Sequence, residues 1–233
     1  MKIAHKETLG VEMENWDKYL NNFTKTKFFK NLIGFLKSGN KYFKFYPSSI
    51  ENVFKPFSLL HPDNLKVVII TDTYYIKSGL PYGAVFKDKN KLLYENNTEI
   101  IKIEESFENH NARGLNLNFD LTLESWAMQG VLFLNNDLLF DDKKNPKYRR
   151  IWRKFNSHVL KCLNKNLTGI HYVFMGNSSN FYKQYIDIKN NYGYNVKKPE
   201  TSNSFNCEVF DKINERIVGQ NGIEEVINWE EYV

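Results

Sequence analysis

The sequence predicts a three-layer α/β domain, and three observations carry this prediction. Continuous apolar runs bounded by turn residues lie at 66–70, 131–134 and 171–175. Runs of this length are typical of parallel strands that are buried on both faces. Segments with helical spacing of apolar residues alternate with these runs, and the length of 233 residues suits one globular domain. We therefore expect a single domain over residues 1–233.

Two segments predict helices. The N-terminal segment predicts one or two amphipathic helices on Trp16, Tyr19, Leu20, Phe23, Phe28, Phe29, Leu32, Ile33, Phe35 and Leu36. The segment between the second and third apolar runs predicts another on Trp152, Phe155, Val159, Leu160 and Leu163. In a sheet flanked by helices, ligands bind at the carboxyl ends of the strands. Functional residues are therefore expected in the loops at 71–75, 135–139 and 176–180.

Composition restricts the classes of function. The 32 Lys and Arg exceed the 27 Asp and Glu by only five and are spread along the chain, so the charge permits a nucleic-acid partner without implying one. No stretch approaches the length of a membrane span, and the first ten residues lack the apolar core of a signal peptide, which makes the cytoplasm the default location. The five His have no metal-ligand spacing and Cys162 and Cys207 form no C-x-x-C pair, so we predict neither a metal nor a cofactor.

The densest basic stretch of the chain allows two interpretations. Tyr148 and Trp152 are interleaved with its cations, which are Lys143, Lys144, Lys147, Arg149, Arg150, Arg153 and Lys154. One interpretation is a face that contacts the phosphates of a nucleic acid. The other is a solvated start of a helix, and the sequence does not choose between them.

Several motifs occur in the order found in a known family. Residues 126–135 read W-A-M-Q-G-V-L-F-L-N, residues 71–76 read T-D-T-Y-Y-I, and residues 198–199 read K-P. The series from about Trp16 to Trp229 resembles the uracil-DNA glycosylase superfamily in its family 1 form, which has W-A-x-Q-G-V-L-L-L-N, GQDPYH and H-P-S-P-L-S at these places. The resemblance implies a three-layer α/β/α fold with a central four-stranded, mainly parallel sheet.

The resemblance also assigns a pocket for a flipped base, of which only part is retained. Asn135 matches the family's Asn that bonds the uracil edge. Phe86 matches its stacking ring, and Tyr75 matches the ring that excludes a 5-methyl group. A base-reading pocket would need residues of these kinds.

The catalytic positions differ from the family's. Thr73 stands where the family has the Asp that activates water, and Lys198 where it has the His that donates to the departing uracil. A Thr hydroxyl cannot act as a base near neutral pH, so general-base assistance of about 10² to 10⁴ is lost. Asp72 replaces the family's Gln, and an Asp72–Lys198 ion pair in a closed pocket is the preferred interpretation of these two residues. Ser202 falls at the place of the Leu that enters the duplex.

These substitutions predict a catalytically inactive protein of this fold. It would serve as a structural or interaction component with protein partners, for example in a phage or viral virion or replication assembly, and would lie in the virion or the host cytoplasm. An alternative is an atypical glycosylase for uracil or a modified pyrimidine, with Thr73 positioning water and Lys198 stabilising the leaving base. A third is a pseudoenzyme that recognises uracil or bent DNA without cutting it.

Overall fold

The computed structural model describes residues 13–39, 45–46, 53–71, 102–103, 105–107, 123–136, 140–141, 146–198 and 205–230. The strands are β1 (Phe45–Tyr46), β2 (Val67–Thr71), β3 (Val131–Asn135), β4 (Phe140–Asp141), β5 (His171–Met175) and β6 (Tyr192–Val196). The helices are α1 (Asp17–Thr24), α2 (Lys27–Gly39), α3 (Lys55–Ser58), α4 (Glu124–Met128), α5 (Pro146–Asn166) and α6 (Glu208–Asn221). Among these residues, no helix is long and apolar enough to cross a membrane.

The central sheet has four parallel strands in the order β3-β2-β5-β6. Strands β2, β3 and β5 coincide with the three apolar runs, and every residue of these three strands is buried. The two residues of β1 pair separately with β4 in an antiparallel ladder. The prediction of a mainly parallel four-stranded sheet is therefore confirmed.

Alternate residues of the buried strands face two separate cores. Val68, Ile70, Leu132 and Leu134 pack against α1, α2, α3 and α5, where Phe155 is fully buried. On the opposite face, Val67, Ile69, Val131 and Phe133 pack against α4, α6 and the residues that follow α6. The side chains that these elements contribute to the second core are Trp126, Phe210, Ile213, Ile217, Ile227 and Trp229. Successive side chains of a strand point to opposite faces of the sheet. Because nearly every residue of these strands is apolar, both faces of the sheet are apolar. The predicted three-layer architecture is thus present, with helices on both faces.

Residues 126–130, which begin the motif that resembles the family most closely, are hydrogen-bonded to the residues that follow α6. The Trp126 indole N–H donates to the carbonyl of Trp229 at 2.9 Å. The Gln129 side chain donates to the Asn228 carbonyl at 2.9 Å and accepts from the Asn228 N–H at 2.7 Å. Gly130 has φ 112°, and a Cβ there would collide with the Asn64 carbonyl oxygen, so the turn into β3 requires glycine. This motif is therefore a packing element on the layer that contains α6.

Strand β6 and the 3₁₀ helix after β5 are among the elements that were not predicted from the sequence, as are helices α3, α4 and α6. Strand β6 is the edge of the sheet and alternates between half-buried and exposed residues until Val196, so it lacks the continuous apolar run that marks the other strands. The residues after β5, expected as a loop, form a 3₁₀ helix at Asn177–Tyr185. Tyr182 from this 3₁₀ helix is fully buried, and it packs with the core that contains α5.

Candidate functional site

The carboxyl ends of the parallel strands lie at one edge of the sheet, where the sequence predicts a ligand site. Thr71, the last residue of β2, is in register with Asn135 on one side and with Met175 on the other. Met175 is in turn in register with Val196, the last residue of β6. The N–H of Asn136 donates to the carbonyl of Thr71 at 2.9 Å, which continues the pairing one residue beyond the strands. We call this the carboxyl edge.

Asn135 ends β3 at the carboxyl edge, and its side chain is buried with 3% exposure. Its backbone is fixed from α5: the amide of Asn156, which is fully buried, donates to the Asn135 carbonyl at 2.8 Å. The same amide nitrogen lies 3.3 Å from the hydroxyl of Tyr182. The end of β3 is therefore held between a helix and the 3₁₀ helix, and a change at Asn156 would act on Asn135.

Lys198 follows β6 by two residues and is half-buried. Strand β6 and β3 are the two outer strands of the sheet, so three strand spacings, about 14 Å, separate them. Strand β2, which ends at Thr71, lies next to β3. The structure thus places Lys198 and Asn135 towards opposite ends of one edge, with Thr71 between them in strand order.

Other predicted site residues lie outside the described part of the chain. These are Asp72, Thr73, Tyr75, Phe86, Lys143, Lys144 and Ser202. For Lys147 the structure describes the helical backbone and not the side chain. The proposed ion pair between Asp72 and Lys198 and the roles given to Tyr75 and Phe86 therefore stay predictions.

Five cations of the basic stretch, from Lys147 to Lys154, lie in the first half of α5, which follows β3 and so begins near the carboxyl edge. Arg149 and Arg150 are exposed. The guanidinium of Arg153 lies 4.9 Å from the ring centroid of Phe181 in the 3₁₀ helix, and the amine of Lys154 lies 4.6 Å from that of Phe28 in α2. Cations over aromatic faces are stabilised while their charge stays near solvent.

His171 lies at the opposite edge of the sheet and is part of a packed polar cluster. Its ring nitrogens lie 3.0 Å from the Tyr194 hydroxyl and 3.0 Å from the Gln220 side-chain oxygen. Burial lowers the pKa of His171, which favours the neutral form of its ring. Within the described residues, no group of three His, Cys, Asp or Glu is arranged to hold a metal ion.

Sequence reasoning missed Asn156 and Tyr182, because a single Asn inside a helix and a single Tyr after a strand carry no motif.

We expect Asn156→Leu to lower the free energy of unfolding by about 1–3 kcal/mol, since the buried carbonyl of Asn135 loses its donor. Urea denaturation followed by circular dichroism measures this. The control is Asn166→Leu on the same helix, where the Asn is exposed, and it should change stability by less than about 0.5 kcal/mol. Equal effects would show that Asn156 does not hold the end of β3.

Comparison with known proteins identifies the family. The chain is 30% identical over 223 residues to the uracil-DNA glycosylase of Mycoplasmopsis pulmonis, covering 93% of this chain and 97% of that protein. It is 26% identical over 221 residues to the uracil-DNA glycosylase of Fusobacterium nucleatum, covering 93% and 95%. The chain therefore belongs to the uracil-DNA glycosylase family, as its motifs predict. No protein-family model matches it.

Solved structures agree on the fold. A crystal structure of the mimivirus uracil-DNA glycosylase superposes with a TM-score of 0.71 at 22% identity, covering 89% of this chain and 83% of that one. A variant of the mimivirus enzyme, in complex with UGI, superposes with a TM-score of 0.76 at 22% identity, covering 93% of this chain and 88% of that one. At this level of identity the likeness supports the α/β fold.

The relatives overturn the predicted inactive structural role. The two bacterial relatives, matched over nearly their whole length, are both named uracil-DNA glycosylase, which favours the alternative of a working glycosylase. The prediction gave too much weight to substitutions in short loops. The predicted structural role in a virion or assembly depended on inactivity, and the two relatives contradict that prediction. A protein partner for this chain stays a prediction.

Proposed function

We propose that the chain is a uracil-DNA glycosylase. It would hydrolyse the bond between the sugar C1′ and N1 of uracil in DNA, with water supplying the new C1′–O bond and with uracil leaving as an anion that takes up a proton. The observation that carries this proposal is the full-length similarity to the Mycoplasmopsis pulmonis enzyme. The buried Asn135 at the carboxyl edge is consistent with it.

Asn135 is the proposed reader of the base. A carboxamide offers one acceptor oxygen and an NH₂ donor, which matches the N3–H donor and the O4 acceptor on the edge of uracil. Enzymes that act on a base take it out of the duplex and read this edge in a pocket. Because Asn156 fixes the backbone of Asn135, the amide would be presented in a set position.

Water activation requires a group that accepts a proton near pH 7, and Thr73 cannot supply it. Asp72 can, because it is a carboxylate in the residue directly after Thr71, the end of β2. Residues 72–74 read D-T-Y, which resembles the D-P-Y of the family motif when the alignment is moved by one residue. We therefore assign the water-activating role to Asp72 and a secondary, water-holding role to Thr73.

Lys198 would stabilise the leaving uracil. Negative charge develops on the departing base, and a cation held near it lowers the barrier electrostatically. Lys198 is half-buried after β6, where partial exclusion of water strengthens such an interaction. DNA is then the expected macromolecular partner, and no cofactor is needed for this hydrolysis.

The test is release of free uracil from a single-stranded oligonucleotide with one uracil, compared with the same strand carrying thymine. We expect wild type to release uracil and to leave thymine in place. Asn135→Asp keeps the shape but loses the donor, and should lower kcat/KM by roughly 10- to 100-fold, or about 1.4–3 kcal/mol. Equal kcat/KM for the variant and wild type would remove Asn135 from the base-reading role.

A further inference from the structure

Positive charge is concentrated in one layer of the molecule. Helices α2 and α5 contain ten Lys and Arg and no Asp or Glu. The remainder of the chain then has 22 Lys and Arg against 27 Asp and Glu, a net charge of −5. The layer on the other face of the sheet contains α6, where Glu208, Asp211 and Glu215 outnumber Lys212 and Arg216. The net charge of +5 for the whole chain thus conceals a concentration of positive charge on α2 and α5.

Four exposed cations of α5 lie in a row on one face of the helix, which we call the stripe: Arg150, Lys154, Lys161 and Lys165. All four are exposed, and their spacings of four, seven and four residues place them on one face of the helix. The stripe is about 22 Å long at 1.5 Å per residue. It begins near the carboxyl edge and runs toward the opposite end of the sheet, because α5 crosses back from the end of β3 to the start of β5.

Two cations of the stripe lie over aromatic rings of neighbouring elements. The Lys154 amine lies over Phe28 of α2, and the Lys161 amine lies 5.1 Å from the ring centroid of Tyr185. His158, between them on α5, stacks on Phe23 and Phe28 at centroid distances of 4.9 and 5.8 Å. None of the four stripe cations forms a salt bridge with a carboxylate in the described part of the chain. Their charge is therefore available to a polyanion.

We propose that this stripe is a second contact surface for duplex DNA, which begins near the carboxyl edge and binds the phosphate backbone of the DNA away from the nucleotide being processed. The choice of DNA as the polyanion rests on the proposed function. The single sign of charge matches a phosphate backbone, in which each strand carries a negative charge about every 3.4 Å. A protein partner would instead be expected to meet an apolar centre. Among the side chains of α5 that the structure describes, none of the exposed ones is apolar: they are Arg149, Arg150, Lys154, Lys161, Lys165 and Asn166.

The test measures binding to duplex DNA without uracil, so that it does not depend on cleavage. Fluorescence anisotropy over a salt series compares wild type with Lys154→Gln/Lys161→Gln and with the control Lys212→Gln/Arg216→Gln. Both variants remove two cations from exposed helix positions, and in the control Arg216 also lies over a ring, that of Tyr192 at 4.7 Å. The DNA spans about two helical turns, which exceeds the length of the stripe.

We expect the stripe variant to bind about tenfold or more weakly at low salt and to reduce the slope of log K against log salt by about 1.8, or 0.9 for each lost phosphate contact. The control should keep the wild-type slope. On a short single-stranded substrate, the stripe variant should retain the wild-type kcat/KM. Equal DNA binding by the two variants would overturn the proposal and favour an acidic protein as the partner. If the stripe effect is present while wild type releases no uracil, the proposed function fails and the DNA surface stands.

Discussion

Replacing Asp72 with Asn is expected to lower kcat for uracil release by about 10²- to 10⁴-fold, the usual contribution of a general base. The amide of Asn keeps the size of the carboxylate but cannot accept a proton at neutral pH. Since Asp72 follows the end of β2 directly and β2 adjoins the strand that ends in Asn135, the loss should fall on kcat more than on KM. Single-turnover assays with excess enzyme measure the chemical step.

The matched control is Thr73→Ala. If Asp72 activates the water, removing the Thr73 hydroxyl should cost no more than about tenfold, the value of one hydrogen bond. The opposite result, in which Thr73→Ala is inactive and Asp72→Asn is near wild type, would contradict the assignment. It would mean that the position aligned with the family's Asp acts through a hydroxyl that only orients water.

Trp126→Ala is expected to lower the free energy of unfolding by about 3–5 kcal/mol, in the range for a large aromatic residue removed from a core. The indole is 1% exposed, and its ring centroid lies 5.0 Å from Trp229 and 5.4 Å from Phe210. Truncation would leave a cavity between α4 and α6 and remove the hydrogen bond to the Trp229 carbonyl. Chemical denaturation monitored by tryptophan fluorescence and circular dichroism gives the change.

Two further variants separate the causes. Trp126→Phe retains a ring and loses the indole N–H, so it should cost about 1–3 kcal/mol. Met128→Ala, on the same helix but 53% exposed, should change stability by less than about 0.5 kcal/mol. If Trp126→Ala were as mild as Met128→Ala, the motif at 126–130 would not be the packing element described above.

The fold was predictable where burial imposes a pattern. Strands β2, β3 and β5 are buried on both faces, so their sequences are continuously apolar, and the amphipathic helices α1, α2 and α5 show one apolar face. Strand β6 was missed because an edge strand with exposed Gly193 and Asn195 resembles a loop. The 3₁₀ helix was missed because its residues are mostly polar and its length is unusual.

The site was predictable only in part. The position of Asn135 was predictable because it ends a buried strand inside a long motif, whereas Asn156 acts through a contact 21 residues away in sequence and carries no local signal. The function was misread for a related reason. The resemblance set Thr73 against the family's Asp and counted Asp72 as a lost Gln, whereas we propose that Asp72, the residue directly after β2, supplies the base that the reaction requires.

The most direct measurement of the central claim is chromatographic detection of free uracil after the purified wild-type chain is incubated with uracil-containing single-stranded DNA. A glycosylase of known activity provides the positive control, and the same DNA with thymine provides the negative control. We predict stoichiometric release of uracil with formation of abasic sites, and no release of thymine. An absence of free uracil, with a folded protein and an active positive control, would contradict the proposed function.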